Sequence, residues 1–183
     1  KAVAKWTPAI LVVAALFALA LAGLTLTGVV FAATGDITTV AGSDNIGDGG
    51  LATAATLDTP RAVVVSASGD VFIGESGGKR VRRGDGVTGV ITTYAGNGES
   101  GTAGDGGQAT DAQVSGPNEL KLDAAGNLYI STSSKVRRVD VVTGVITLVA
   151  GGGSGDPDDG GAATSVLIRS DGIWIDSSGD LYI

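Results

Sequence analysis

The chain has 183 residues, 43% of them apolar, with no cysteine, no histidine and a net charge of −7. The apolar share excludes wholesale disorder, and the missing cysteines exclude both a disulfide framework and thiolate chemistry. The missing histidines remove the commonest general base and the commonest zinc ligand, while 31 glycines against 4 prolines, with aromatics at 4%, favour short strands and tight turns over packed helices.

The first element is an uncharged run. Residues 6–35, "WTPAILVVAALFALALAGLTLTGVVFAATG", follow Lys1 and Lys5. Residues 9–33 meet the roughly 20 apolar residues needed to cross a bilayer, and the positive flank predicts an N-terminus inside. The same run reads as a cleavable signal peptide, with the lysines as n-region, residues 9–21 as h-region and a cleavage site ending at Val30, Phe31 and Ala32. A buried core helix fits poorly, because the apolar residues run all the way round. Residues 1–33 are therefore expected to be a signal peptide or a transmembrane anchor, and both readings send residues 34–183 across a membrane. The expected location is secreted, periplasmic or cell-surface, with membrane contact only through this segment. Lys1 is not a methionine and Ile183 falls inside a repeat, so the chain is read as a fragment.

The body repeats itself. "VTGVITTYAG" at 87–96 returns as "VTGVITLVAG" at 142–151, and "TGDITTVAG" at 34–42 is an earlier copy. After each copy comes a glycine-rich block: "GDGGLATAATLDTP" (47–60), "GDGGQATDAQVSGP" (104–117) and "DDGGAATSVLIRS" (158–170). Their "AT" segments, with Ala52, Ala55 and Leu57 or Ala109, Ala112 and Val114, are expected to form short helical turns that pack an apolar side down.

Next come "AVVVSASGDVFI" (62–73), "ELKLDAAGNLYI" (119–130) and "GIWIDSSGDLYI" (172–183), each two alternating runs about a turn. This is a β-hairpin written three times. Alternation places Val63 and Val65, Leu120 and Leu122, and Ile173 and Ile175 on one face, which is the expected core, and Val64, Lys121 and Trp174 on the other. Gly69, Gly126 and Gly179 suit a positive φ, and Ser66, Asp123 and Asp176 sit where a side-chain oxygen holds the turn amides. "KRVRRGD" (79–85) and "KVRRVD" (135–140) supply a third strand, and "VITTYA" or "VITLVA" a fourth.

A four-stranded unit recurring every 53 to 57 residues, as from Leu120 to Ile173 and from Val63 to Leu120, cannot bury both faces alone, so neighbouring copies must stack. Radial stacking makes a propeller. The expected fold class is all-β: a partial β-propeller of four-stranded antiparallel blades, about two to three of them present, preceded by an N-terminal hydrophobic helix. The blades lie near residues 60–96, 117–151 and, truncated, 172–183, within a domain of residues 34–183.

"ITTYAGNG" (91–98), "GDGGQATDAQVSGP" and "DAAGNLYI" (123–130) resemble the NHL-repeat family of β-propellers, in its long-loop form reading "ITTVAGNG", "GDGGPATxAxLxxP" and "DxxGNLYIAD". The likeness covers residues 35–183. The family's "YIAD" stands here as "FIGE", with Glu75, and as "YIST", with Thr132. The resemblance implies an interaction platform with loops on two rims and a channel lined by the innermost strands. Some members of the family are enzymes, among them amidating lyases that hold a metal through histidines and lactonase-like propellers that use carboxylates.

Several motifs invite other functions. "GNGESG" (96–101) fits a dinucleotide fingerprint, but glycine-rich loop follows where a helix must open. "RGD" (83–85) is an adhesive tripeptide in other settings, yet its Gly84 falls in register on Val139. "KRVRR" and "KVRR" sit at one strand position of a body with 10 basic and 19 acidic residues once Lys1 and Lys5 are set aside. They are expected to form a solvated blade face, and nucleic acid is not an expected partner. The one metal considered is calcium, at "GDPDDGG" (155–161), because hard cations choose clustered oxygens; otherwise no cofactor and no catalytic residue is assigned.

The candidate binding residues open the first strands: Arg61, Asn118 and Glu119, with Arg169 and Asp171 near the third copy. They vary while the core positions stay apolar, which is where a binding surface specialises. The expected function is an exported or membrane-anchored binding module for a protein, peptide or glycan. The alternative is an extracytoplasmic lyase or lactonase-like hydrolase whose catalytic residues lie in blades beyond this stretch, and a third is a structural surface protein.

Overall fold

The computed structural model describes residues 47–155, 160–170 and 172–183; the apolar run at residues 6–35 lies outside them. Among the described residues, no helix is long and apolar enough to cross a membrane.

Ten strands among the described residues form three antiparallel units. The first sheet holds β1 (Pro60–Val65), β2 (Val71–Glu75), β3 (Arg80–Gly84) and β4 (Ile91–Ala95) in chain order, and the second holds β5 (Glu119–Leu122), β6 (Leu128–Ser131), β7 (Lys135–Val139) and β8 (Ile146–Gly151) likewise. A third unit pairs β9 (Trp174–Ile175) with β10 (Leu181–Tyr182). The hairpin turns form as the residue types dictate. Gly69, Gly126 and Gly179 adopt φ of 88°, 88° and 91°, where a Cβ is strained. Asp123 Oδ1 accepts the Ala125 and Asn127 amides at 3.0 and 2.9 Å, Asp176 does the same for Ser178 and Asp180, and Ser66 Oγ accepts the Asp70 amide. In the next turn of each complete sheet, Asp85 Oδ1 gathers the amides of Val87 and Thr88, and Asp140 repeats this with Val142 and Thr143.

The sheets stack face to face. Ala62, Phe72, Val81 and Ala95 of the first sheet share one buried cluster with Leu120, Leu128, Ile130, Val139 and Ile146 of the second. Tyr129, Val136 and Ala150, on the second sheet's far face, bury against Ile173 and the partly buried Ile175 and Leu181 of the third unit. Each fully buried Leu or Ile here contributes roughly 1.5–3 kcal/mol. First strands approach one another across these interfaces, β1 with β5 and β5 with β9, so the sheets turn about their innermost strands as propeller blades do.

The expected core positions divide by place in the stack. Leu120 is fully buried and Ile173 nearly so, but Val63 and Val65 are 65% and 58% exposed. The assignment of those two valines to the core is corrected. Leu120 is covered by the first sheet, whereas no sheet lies over the matching face of the first sheet among the described residues. Val64, on the opposite face, packs into the core between the sheets.

The long glycine-rich connections are part of the architecture. The first two each make a short 3-10 turn, at Ala52–Ala54 and at Ala109–Asp111. These two also bury alanines, Ala52 and Ala55 against Ile91, and Ala109 and Ala112 with Val114 in the inter-sheet core, whereas Ala162 and Ala163 of the third are exposed. Their backbones run beside the fourth strands. Gly49 and Gly50 exchange hydrogen bonds with Ile91, Gly106 and Gly107 with Ile146, and the Gly96 amide at the end of β4 donates to Ala109 O at 2.8 Å.

Candidate functional site

Three of the candidate residues lie where the first two sheets meet. Pro60 pairs with Glu75 and Ala62 with Gly74, so Arg61 falls at an irregularity of the ladder, the kind of place where a strand re-aims a side chain. Its exposed guanidinium Nη1 donates to Asn118 Oδ1 at 3.4 Å, across the junction between sheets. The backbone amide of Asn118 is fixed by Ser131 O at 2.8 Å. Glu119 opens β5 and pairs instead with Lys121, Oε1 to Nζ at 2.7 Å, both half-buried. Beside this cluster Thr59 holds φ at 53°, a sparsely populated conformation for a threonine. Gly74 sits behind it, where a Cβ would lie 3.0 Å from Pro117 Cβ and 3.3 Å from Ala62 Cβ, so that a larger residue would need those neighbours to give by a few tenths of an ångström.

Arg169 is apart from that group. It is exposed and lines a hollow of about 430 Å³ with Ser133, Ser134 and Ser170. The buried Ser170 hydroxyl bonds Ser131 Oγ at 2.8 Å and so ties the third unit to the second sheet. Asp171 lies outside the described residues, as do residues 156–159 of the calcium candidate. Among the described residues no three His, Cys, Asp or Glu side chains gather to hold a metal ion.

The arginine strand differs from expectation. Arg82 and Arg137 are each 1% exposed, so "KRVRR" and "KVRR" are not simply a solvated face. Arg137 donates from Nε to Asp105 Oδ1 at 2.8 Å, from Nη1 to Gln113 O at 2.7 Å and from Nη2 to Ala103 O at 3.3 Å. Arg82 binds the matching Asp48 and lies 3.5 Å from the buried Glu75. A guanidinium is buried at tolerable cost when acceptors meet its planar fork, as they do at all three nitrogens of Arg137. Burial works to raise the Asp48 carboxyl, but the Thr93 hydroxyl and the Arg82 guanidinium together hold it below the ordinary aspartate value. Sequence reasoning misses this pair, although it leaves a signal: the aspartates of both "GDGG" blocks, Asp48 and Asp105, precede an arginine at the same strand position.

The remaining motif residues have structural partners. Glu75 accepts the Asp58 amide at 2.8 Å, and Thr132 Oγ1 donates to Lys135 O at 3.2 Å. Arg83 of the tripeptide bonds Asp70 and Asp85, Nη2 to carboxylate oxygens at 2.9 and 3.3 Å. Burial acts to raise Asp70, and the Gly86 amide with Arg83 outweighs it and lowers the carboxyl. No helix opens at Gly101, so the phosphate-binding context is missing there.

No protein-family profile and no curated protein matches the chain. Among solved structures, the fold is similar to that of selenomethionine-substituted virginiamycin B lyase from Staphylococcus aureus, with 17% identity and a TM-score of 0.40 over 67% of this chain and 33% of that one. The chain therefore spans about a third of that lyase's length.

Proposed function

We propose that this chain is an NHL-type β-propeller binding module, exported or anchored by its N-terminal apolar segment, that takes a protein, peptide or glycan ligand. The observation that carries it is the Arg61–Asn118 hydrogen bond. Two polar side chains that differ between repeats meet across an inter-sheet junction whose backbone is fixed, which is the usual relation between a rigid scaffold and a binding surface. The uncharged leader supports the exported location, because either reading of it carries the body over a membrane.

Two measurements test the two halves. A C-terminal fusion of the whole chain to alkaline phosphatase, active only outside the cytoplasm, should be active in cells and lose activity when residues 9–33 are interrupted by charges. The whole chain, in detergent, should retain a ligand on a peptide or glycan array, and Arg61→Ala with Asn118→Ala should weaken it by about tenfold, the ~1.4 kcal/mol that a lost pair of polar contacts represents. An inactive fusion removes the export reading. Empty arrays, or equal binding by the double variant, remove the binding surface.

A further inference from the structure

We propose that the cleft between the first two sheets, on the rim opposite Arg61, binds a neutral saccharide; this deepens the binding-module reading and rests on it. The cleft holds about 520 Å³, floored by Phe72, Tyr94 and Leu122 and walled by Asp70, Arg83 and Asp123.

Tyr94 is the distinctive group. β3 pairs Val81 with Ala95 and Arg82 with Thr93, so Tyr94 is the extra residue of a bulge, and it packs against the inter-sheet core. Its ring meets Phe72 edge to face at 4.8 Å and 78°, which holds the phenol in one place at the cleft. Burial raises its hydroxyl above the ordinary tyrosine value, so it stays a donor at neutral pH. The second sheet has the same bulge, between Val136 and Arg137, with Val149 in the place of Tyr94. A partly buried valine satisfies the packing there. The phenol is thus an addition to the repeat, not a requirement of its fold.

The charges select the ligand class. Arg83 is offset by Asp70 and Asp85, so an anion would find the one guanidinium of the lining already paired and would meet Asp70 and Asp123 beside it. A cation would find Asp70 already neutralised by Arg83 at 2.9 Å, which leaves only Asp123, held by the Ala125 and Asn127 amides and by Asn127 Nδ2 at 2.7 Å, to attract it from the lining. What remains is a set of fixed planar polar groups with spare acceptor and donor positions beside an aromatic ring. A hydroxyl donates and accepts at once and needs no counter-charge, and the C–H groups of a sugar ring can lie on the apolar lining of Phe72, Tyr94 and Leu122. Both margins of the cleft at this rim are turns, so a peptide would find no strand edge to extend.

The test uses an array of neutral di- to hexasaccharides, glucans, mannans, galactans and chitin oligomers, probed with the whole chain in detergent. The expected result is retention of at least one class and a loss of about tenfold with Tyr94→Val, the upper reach of a single aromatic contact, read on protein whose cooperative unfolding shows that it is folded at the temperature of the assay. Ala125→Trp, which obstructs the cleft from an exposed turn without removing a contact, should abolish binding, and it stands as the readout if Tyr94→Val unfolds. Equal binding by both variants overturns the cleft. Saccharide binding lost only in Arg61→Ala with Asn118→Ala overturns it too while keeping the module reading, and so does binding to peptides alone. Empty saccharide and peptide arrays overturn both.

Discussion

Arg137 and Asp105 are joined through Nε and Oδ1 at 2.8 Å, the arginine 2% and the aspartate 32% exposed at the side chain, and Arg82 with Asp48 repeats the pairing in the first sheet. The bond fastens a glycine-rich connection onto the third strand of the sheet it precedes. Because Arg137 also donates to Gln113 O and Ala103 O, one guanidinium closes the whole connection around itself.

Arg137→Ala is therefore expected to destabilise the protein by about 3 kcal/mol, the cost of breaking a buried, hydrogen-bonded pair. Arg137→Lys should rescue little, since a point charge cannot serve three acceptors in a plane. Urea unfolding reads both; a loss under about 1 kcal/mol for Arg137→Ala would show that the connection is held by its alanines alone.

Acid should weaken the fold. Asp48, Asp70, Asp85, Asp140 and Asp176 all have carboxyls held below the ordinary value. A depressed folded-state pKa contributes stability that is present above the unfolded value near 3.9 and is lost as pH falls through the folded value. The unfolding midpoint should hold steady from neutral pH down to about 4 and fall below it. Asp85→Asn with Asp140→Asn should flatten that fall, because the amide N–H groups of Thr88 and Thr143 are the leading cause of the two shifts. An equally steep fall in the double variant would place the acid-sensitive groups elsewhere.

Leu120 and Val63 occupy the same position of the repeat with opposite exposure. Leu120→Ala should cost roughly 2–5 kcal/mol through the cavity it leaves between the sheets, and Val63→Ala under about 0.5 kcal/mol. Thermal or denaturant unfolding compares them directly. A large cost for Val63→Ala would mean that the exposed face of the first sheet is covered in solution.

Those two residues also mark how far the sequence reaches. Alternation assigns Leu120 and Ile173 to a buried face, and the structure agrees, because period two is a property of the strand itself. The turns at Gly126 and Asp123 are equally readable, since φ and amide capping are local. Val63 carries the same pattern as Leu120, but its burial depends on what stands opposite, and strand periodicity holds no information about that. Arg82 and Arg137 escape for another reason: their charge argues for solvent, and it is the distant partners, Asp48 and Glu75 for one and Asp105 with the Gln113 and Ala103 carbonyls for the other, that make burial possible. At the candidate site, the positions of Arg61 and Asn118 at first-strand starts are legible. Their contact depends on how closely the sheets approach, which the packing between them decides.

The connections that Arg82 and Arg137 secure do one more thing. Gly49 and Gly50 occupy the hydrogen-bonding row at the start of β4, Ala109 occupies its end, and Gly106 and Gly107 do the same for the start of β8. A foreign strand seeking to extend either sheet from its outer margin meets backbone that is already engaged, which is how natural sheets resist edge-to-edge polymerisation. Lateral recruitment is thereby hindered where β4 and β8 begin and where β4 ends.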